Sequence, residues 1–193
     1  VMALRSGRAI RFNESTVRPM GRTATGVRGI TLDKQTDEVV GMISINDPET
    51  TVLVVSEKGY GKRTDIDDYR VTNRGGKGVK TINITEKTGE LVTIKGVTDN
   101  DDLMIINKSG IVIRIGVDNL RIMGRATQGV RLITLKESDA IASVTKVDRE
   151  EDVELEGDLD ADNEEGSSTE GAAPESAATD EDSSTDNEPS DNA

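Results

Sequence analysis

Short apolar runs rich in valine and isoleucine, separated by polar turns, make up most of residues 1–147. The clearest set is residues 39–45, 51–56, 60–65 and 79–84. A two-residue Lys58-Gly59 turn of hairpin type joins the second and third of these runs. Residues 27–32 place alternate side chains on one face, as a strand does. No stretch holds a helical apolar period over three turns, so the pattern predicts an all-β protein.

This pattern recurs at intervals of 52 and then 51 residues. Residues 21–28 (G-R-T-A-T-G-V-R) return as residues 73–80 (N-R-G-G-K-G-V-K) and as residues 124–131 (G-R-A-T-Q-G-V-R). The hairpin glycines Gly7, Gly59 and Gly110 keep the same two offsets. Four short strands in a repeat of this length are typical of a propeller-like array of four-stranded antiparallel blades.

The repeats predict twelve strands: three in the first unit, four in each of the next two, and one at residues 140–147. Twelve strands make about three blades. Closed propellers usually have four to eight blades, so we expect the remainder of the array to lie upstream of Val1.

Charge divides the chain into two parts. The net charge is −13, from 24 basic and 37 acidic residues. Residues 1–147 hold 23 basic and 18 acidic residues (23 − 18 = +5), whereas residues 148–193 hold one basic and 19 acidic residues (1 − 19 = −18). Residues 148–193 carry too few apolar side chains to offset the entropy of ordering, so we predict a disordered acidic tail. Its role is either regulatory or only solubilising.

Composition excludes several kinds of chemistry. The chain has no cysteine and no histidine, which removes His/Cys zinc sites, thiol nucleophiles, disulfides and imidazole acid–base catalysis. No apolar run approaches the length of a membrane span, and no signal peptide opens the chain. We therefore expect no membrane association.

Basic residues keep their register through the repeats, whereas acidic residues do not. Four positions recur in all three repeats: Arg11, Arg63 and Arg114; Arg18, Arg70 and Arg121; Arg22, Arg74 and Arg125; and Arg28, Lys80 and Arg131. Stacking of the repeats by a regular rotation would align these side chains into a basic stripe. The alternative is that the arginine stems cover strand faces and their charged ends are solvated or paired with nearby aspartates. The recurrence of these basic residues in three diverged repeats favours a surface that binds a polyanion.

The scarcity of aromatic residues narrows the polyanion to duplex nucleic acid. Single-strand binders stack bases on aromatic side chains, and this chain has only Phe12, Tyr60 and Tyr69. A curved row of arginines suits the phosphate backbone of a duplex, which it would bend without reading much sequence. We predict that the twelve residues at the four aligned positions contact DNA, together with Lys62 and Lys77.

The glycine-rich loops and the aspartate clusters have simpler interpretations. Residues 75–78 (G-G-K-G) do not match a nucleotide-binding P-loop, and we expect Gly26, Gly78 and Gly129 to supply a backbone conformation for entry into the next strand. The clusters at residues 65–68 and 99–102 lack the glycine and distal glutamate of a calcium loop. We expect them to form turns and to bind no metal.

Four segments of the repeats carry a recognisable motif: residues 17–22 (V-R-P-M-G-R), 25–30 (T-G-V-R-G-I), 59–64 (G-Y-G-K-R-T) and 123–130 (M-G-R-A-T-Q-G-V). These segments resemble the C-terminal domain of the DNA gyrase A subunit. The resemblance covers essentially all of residues 1–147, and an acidic tail is also common in that family. It implies a β-pinwheel, a propeller-like disc of blades that exchange strands and whose basic rim wraps duplex DNA. Residues 1–147 would then be a partial β-pinwheel domain and residues 148–193 the tail.

The resemblance also implies a role in ATP-dependent negative supercoiling by a heterotetramer of two A and two B subunits in the bacterial cytoplasm. The catalytic tyrosine lies in the N-terminal part of gyrase A, and ATP and Mg²⁺ are used by gyrase B, so no catalytic residue or cofactor is expected in this segment. Residues 72–78 (T-N-R-G-G-K-G) match five of seven positions of the family's wrapping motif Q-R-R-G-G-K-G. Their place near the tail indicates a related loop of a late blade.

Two other interpretations stay open. The related subunit of topoisomerase IV has a similar but more degenerate C-terminal domain. A propeller-type scaffold could instead use the arginines to dock an acidic protein, with no role in DNA binding.

Overall fold

The computed structural model describes residues 1–32 and 35–149. Within them lie eleven β-strands, which we number in chain order. They are β1 (Met2–Leu4), β2 (Arg8–Ile10), β3 (Val39–Met42), β4 (Thr51–Ser56), β5 (Tyr60–Thr64), β6 (Val79–Lys80), β7 (Leu91–Val97), β8 (Asp101–Asn107), β9 (Val112–Gly116), β10 (Val130–Arg131) and β11 (Ile141–Asp148).

The strands form three antiparallel sheets, which confirms the predicted all-β, blade-like fold. The first sheet has the order β3-β1-β2-β6, the second β10-β5-β4-β7, and the third β11-β8-β9. Each sheet contains a hairpin from one repeat, such as β4–β5, and in the first two sheets this hairpin is central. The outer strands come from the next repeat: β3 and β6 from the second repeat complete the first sheet, and β7 and β10 complete the second. Adjacent blades are therefore joined by strand exchange.

One predicted strand is absent from the described residues, so the structure has eleven strands and not twelve. Residues 27–32 form no regular strand. Their counterparts β6 and β10 each pair with the preceding sheet, and no sheet precedes residues 27–32 in the part of the chain described. Instead the loop of the second repeat bonds to them: the Gly75 amide donates to Gly29 O (2.6 Å), and the Thr31 amide donates to Gly76 O (2.9 Å).

A short 3₁₀ turn follows the hairpin in every repeat, at Glu14–Thr16, Ile66–Asp68 and Val117–Asn119. One turn of helix is too short for an apolar period to reveal. In the second repeat the Asp65 carboxylate caps the turn by accepting the Asp67 amide at 2.9 Å. The predicted turn role of this aspartate cluster is thereby confirmed for Asp65.

The apolar core lies between the blades. Strand β4 is buried on both faces, which explains its unbroken apolar run. Val52 and Val54 pack in a cluster with residues of the first sheet, whereas Leu53 and Val55 pack in a cluster with residues of the third. The second blade is thus enclosed by its two neighbours.

Two of the loop glycines, Gly78 and Gly129, stand where an exchanged strand enters the preceding sheet. Gly26, Gly78 and Gly129 have φ values of +85°, +71° and +84°, which confirms the predicted conformational role. A Cβ on Gly78 would overlap the carbonyl group of Ala9, and one on Gly129 would lie 2.6 Å from Gly61 O. Both contacts are with backbone, which cannot move aside cheaply.

Replacing Gly129 by alanine should lower the free energy of unfolding by about 2–4 kcal/mol, because left-handed strain and a backbone overlap act together. Gly26→Ala is the matched control. It has the same sign of φ but nothing within 4 Å of the added Cβ, so we expect a loss of only about 1 kcal/mol. Urea unfolding of both variants measures the difference. Equal losses would show that close approach of the exchanged strand contributes nothing.

The predicted acidic tail, residues 148–193, lies outside the described residues except for Asp148 and Arg149. The division at residues 147 and 148 and the disorder of the tail stay predictions. The described part of the chain has no helix long and apolar enough to cross a membrane.

Candidate nucleic-acid interface

The first aligned arginine position joins adjacent repeats. Arg11 Nη1 donates to Ile66 O (2.9 Å) and Tyr69 O (3.1 Å), at the 3₁₀ turn of the second repeat. Arg63 Nη1 donates to the corresponding oxygens of the third repeat, Val117 O (3.1 Å) and Leu120 O (3.3 Å). Each guanidinium therefore donates to the carbonyl groups of the first residue and of the C-cap of a 3₁₀ turn in the next blade. The same position in successive repeats performs the same structural task.

Arg63 is the most enclosed of these arginines. Its side chain is 5% exposed, its Nε donates to Thr51 Oγ1 at 3.1 Å, and its Nη1 lies 2.6 Å from the Asp99 carboxylate, which is largely exposed. Arg114 stands in the third repeat and has other partners. Its Nε donates to Asp102 Oδ2 at 2.7 Å.

Lys62 is also in the interior, with 1% of the residue exposed. Its Nζ donates to Gly124 O (2.7 Å), Arg125 O and Thr127 Oγ1 (3.2 Å). Burial lowers the pKa of the Lys62 ammonium from 10.5 to about 8. Lys62 and Arg63 were predicted to contact DNA. Neither side chain is exposed in this structure, because the polar atoms of both bond to groups of the adjacent blade. We therefore exclude both residues from the candidate surface.

The loop arginines connect the basic residues of one repeat with those of the next. Arg74 Nη1 donates to Arg28 O at 3.2 Å, and Arg125 Nη1 donates to Lys80 O at 3.1 Å. Both arginines are partly exposed. The third and fourth aligned positions therefore come together across each junction between repeats, which brings basic residues from neighbouring repeats side by side.

Other members of the predicted set are exposed and lack a partner among the described residues. The side chains of six make no hydrogen bond or ion pair there: Arg18, Arg22, Arg28, Arg70, Lys77 and Arg121. Two more are exposed and have side chains that make one hydrogen bond each, Lys80 to Asn83 Oδ1 at 3.3 Å and Arg131 to the Tyr60 hydroxyl at 3.1 Å. Unpaired cations at the surface are available to an external anion. We define these eight residues, with Arg74 and Arg125, as the basic surface.

A cavity of about 310 Å³ adjoins one of the glycine loops. Its lining contains three cations and both polar and apolar residues: Arg11, Arg70, Lys77, Thr72, Asn73, Gly76, Gly78, Ala9, Ile10 and Val79. Cations beside a partly polar cavity form a suitable environment for a phosphate group. Such a contact recognises charge and carries no base sequence information.

The tyrosines occupy structural positions. Tyr69 is fully buried, its hydroxyl bonds to Thr81 Oγ1, and burial raises its pKa. Tyr60 is 7% exposed, and its ring faces Lys87 Nζ at 5.5 Å and the Arg131 guanidinium at 5.6 Å. Neither ring is free for a base to stack on. Lys87 is a basic residue beside Arg131 that the repeat alignment missed, because it has no basic counterpart in the other repeats.

The second aspartate cluster also serves local structure. Asp101 accepts the Thr98 amide at 2.7 Å and lies 3.1 Å from Lys146 Nζ. Asp102 pairs with Arg114 and Arg149. Within the described residues no group of three or more acidic side chains is arranged to hold a metal ion.

The family model described as "DNA gyrase C-terminal domain, beta-propeller" matches residues 5–46, 50–97 and 101–148, one match for each blade-sized repeat. The chain belongs to the DNA gyrase C-terminal β-propeller family. It is 50% identical over 159 residues to the DNA gyrase A subunit of Staphylococcus aureus strain MRSA252, an alignment that covers 82% of this chain and 18% of that protein. The chain therefore spans less than a fifth of the length of this curated relative.

Solved structures agree with membership of the gyrase family. The structure of a DNA gyrase A C-terminal domain superposes with a TM-score of 0.68 at 28% identity, covering 75% of this chain and 49% of that domain. The C-terminal domain of a DNA topoisomerase IV superposes with a TM-score of 0.71 at 23% identity, covering 76% and 46%. The second likeness shows a common fold. The resemblance inferred from the sequence motifs is confirmed at the level of family and fold.

Proposed function

We propose that this part of the chain binds duplex DNA along the basic surface and wraps it. The observation that carries the proposal is the pairing of basic residues across the repeat junctions, Arg74 with Arg28 and Arg125 with Lys80. A duplex that follows the blades would meet a cation at each junction. Its phosphates would release counterions on binding, and this release would drive association.

The chemistry of the surface favours a duplex over a single strand. Tyr60 and Tyr69 are engaged within the fold, and Phe12, the third aromatic residue, is partly buried against the apolar cluster of Leu4, Ile10 and Ile30. Bending a duplex of 20–30 base pairs by 40–90° costs roughly 1–6 kcal/mol. Contacts with about 6–10 phosphates supply enough free energy to offset that cost.

In the wider assembly we propose the role of the C-terminal domain of a bacterial gyrase A protein. The domain would present wrapped DNA to the cleavage site, with the remainder of gyrase A and with gyrase B as partners. Strand cleavage, ATP hydrolysis and Mg²⁺ binding would take place in those other parts, and this segment would contribute no catalytic residue or cofactor site. Gyrase A is favoured over its topoisomerase IV counterpart because the gyrase A relative is 50% identical to this chain.

A linking-number experiment tests wrapping. The chain is incubated with relaxed circular plasmid, a nicking-closing topoisomerase I is added, and the topoisomers are resolved after the protein is removed. Wrapping of either hand shifts the centre of the distribution in proportion to bound protein. A distribution that stays centred at every protein concentration, while binding is saturated, would contradict wrapping and leave simple binding.

The acidic tail leads to a separate prediction. Eighteen net negative charges tethered to the domain would compete with DNA at a high effective concentration. Deleting residues 150–193 should then tighten duplex binding by about tenfold at low salt, and the difference should shrink as salt screens the tail. Fluorescence anisotropy with a labelled duplex measures both. Equal affinities would identify the tail as a solubiliser.

A further inference from the structure

The glycine loops of the second and third repeats, residues 73–78 and 124–129, are contacted by different residues of the preceding repeat. Ile10 lies next to residues 73–78, and its Cδ1 would be 3.5 Å from a Cβ built on Gly76. Residue 62 is the counterpart of residue 10, at an offset of 52, and here the side chain is lysine. Lys62 reaches under residues 124–129 and donates to Gly124 O, Arg125 O and Thr127 Oγ1.

The change at residue 62 is matched by a change in the loop. Thr127 is the counterpart of Gly76, at an offset of 51, and its hydroxyl is one of the acceptors of Lys62. An apolar pair at one junction, Ile10 with Gly76, therefore corresponds to a polar pair at the next, Lys62 with Thr127. This matching indicates that the ammonium holds the loop, a task that an apolar side chain performs one repeat earlier.

We propose that Lys62 is a positioning residue for the third-repeat loop: its ammonium, buried between blades, fixes residues 124–127 so that Arg125 and the neighbouring cations face DNA. The consequence for DNA rests on the proposed function, whereas the consequence for the loop does not. Lys62 itself contacts no phosphate, because all three of its N–H donors are directed at acceptors of the loop.

The charged groups that face Lys62 are Asp68 on the 3₁₀ turn and Arg125 on the loop. Asp68 also accepts the Arg125 amide at 3.2 Å, so it supports the same loop. Desolvation is the main reason why the Lys62 pKa falls to about 8, and the Arg125 charge adds to the effect. The ammonium therefore loses its proton over about one pH unit on either side of that pKa.

The test introduces the residues of the apolar junction into the junction with the third repeat. Lys62→Ile removes the ammonium and reproduces Ile10, and the triple variant K62I/A126G/T127G adds the two glycines of residues 75 and 76. The first readout is hydrogen exchange at the Arg125 and Thr127 amides, which we expect to accelerate about tenfold in K62I and to recover in the triple variant. The second readout is duplex affinity, expected to fall about three- to tenfold in K62I and to return within about twofold in the triple variant.

Recovery of affinity without any charge at residue 62 separates positioning from phosphate contact. A phosphate-binding lysine would leave both variants equally weak, with unchanged loop exchange, and that result would overturn the proposal. Unchanged exchange in K62I would overturn it too. If the unaltered chain binds no DNA, the proposed function fails, but the exchange readout still decides the role of Lys62.

A titration of the unaltered protein provides a measurement that depends on no variant. The Lys62 ε-carbon resonance and the amide resonances of residues 124–127 should shift together with one midpoint at a pH of about 8, the pKa of the buried ammonium. Loop resonances that stay constant while Lys62 titrates would contradict the assignment.

Discussion

Reversing three exposed arginines, Arg18, Arg70 and Arg121, to glutamate should lower duplex affinity about a hundredfold or more at moderate salt. These residues share one aligned position and are exposed, and their side chains make no hydrogen bond or ion pair with another described residue. Each contact with a phosphate contributes about 0.9 to the slope of log K against log salt. The slope should therefore become shallower by about three, and gel shifts across a salt series measure both quantities.

The control for this variant keeps the change in net charge and alters only its position. Lys95, Lys108 and Lys136 lie outside the aligned positions and have side chains that are at least partly exposed. Their triple reversal to glutamate should change affinity far less, by about the long-range effect of net charge alone. Both triple variants should keep the stability of the parent within about 1 kcal/mol, since surface changes of this kind have small effects. Equal losses of affinity in the two variants would contradict a localised basic surface.

Replacing Arg63 by alanine should produce the largest loss of stability among the aligned arginines, about 2–4 kcal/mol in the free energy of unfolding. The change leaves Leu120 O without its arginine donor, leaves Val117 O with only the Leu120 amide, and creates a cavity at a buried junction between blades. Asp99 remains exposed, so its loss of a partner adds little. Urea unfolding monitored by circular dichroism gives the value.

Arg11 is the matched comparison, since it donates to the same two carbonyl positions of the second repeat but has a side chain 26% exposed. Water can replace part of its hydrogen bonding, so Arg11→Ala should cost about 1–2 kcal/mol. Under conditions where it is folded, Arg63→Ala should retain the salt slope of the parent. A shallower slope with unchanged stability would mean that Arg63 is a DNA contact after all.

The sequence was sufficient to predict the eleven strands and the blades, though not that residues 27–32 form no strand, because most of the signals are local. Alternation of apolar residues, hairpin glycines and a fixed repeat determine where a strand begins and ends. The exchange of β3 and β6 into the sheet of the preceding repeat could not be read in this way. Partner choice between strands depends on contacts distant in the chain, and the residues of an exchanged strand look like those of any other.

The candidate surface was predicted less completely, because a basic residue can recur at one position of every repeat for two different reasons. An arginine recurs at one position either when every blade contacts the same ligand or when every blade junction needs the same hydrogen bonds. Arg63 belongs to the second kind, and nothing in residues 59–64 distinguishes it from Arg70. Lysine is seldom fully buried, so the sequence carries no signal that Lys62 lies in the interior, where the fold supplies three acceptors for it.

The salt dependence of duplex affinity for the unaltered chain tests the central claim most directly. Anisotropy with a labelled duplex of about 40 base pairs, long enough to follow several blade junctions, gives the dissociation constant between about 50 and 200 mM salt. We expect affinity to fall by about 10³–10⁵ over that range, as for contacts with about 6–10 phosphates, and to be little affected by base sequence. Weak binding that is indifferent to salt would contradict a basic surface that binds the DNA backbone.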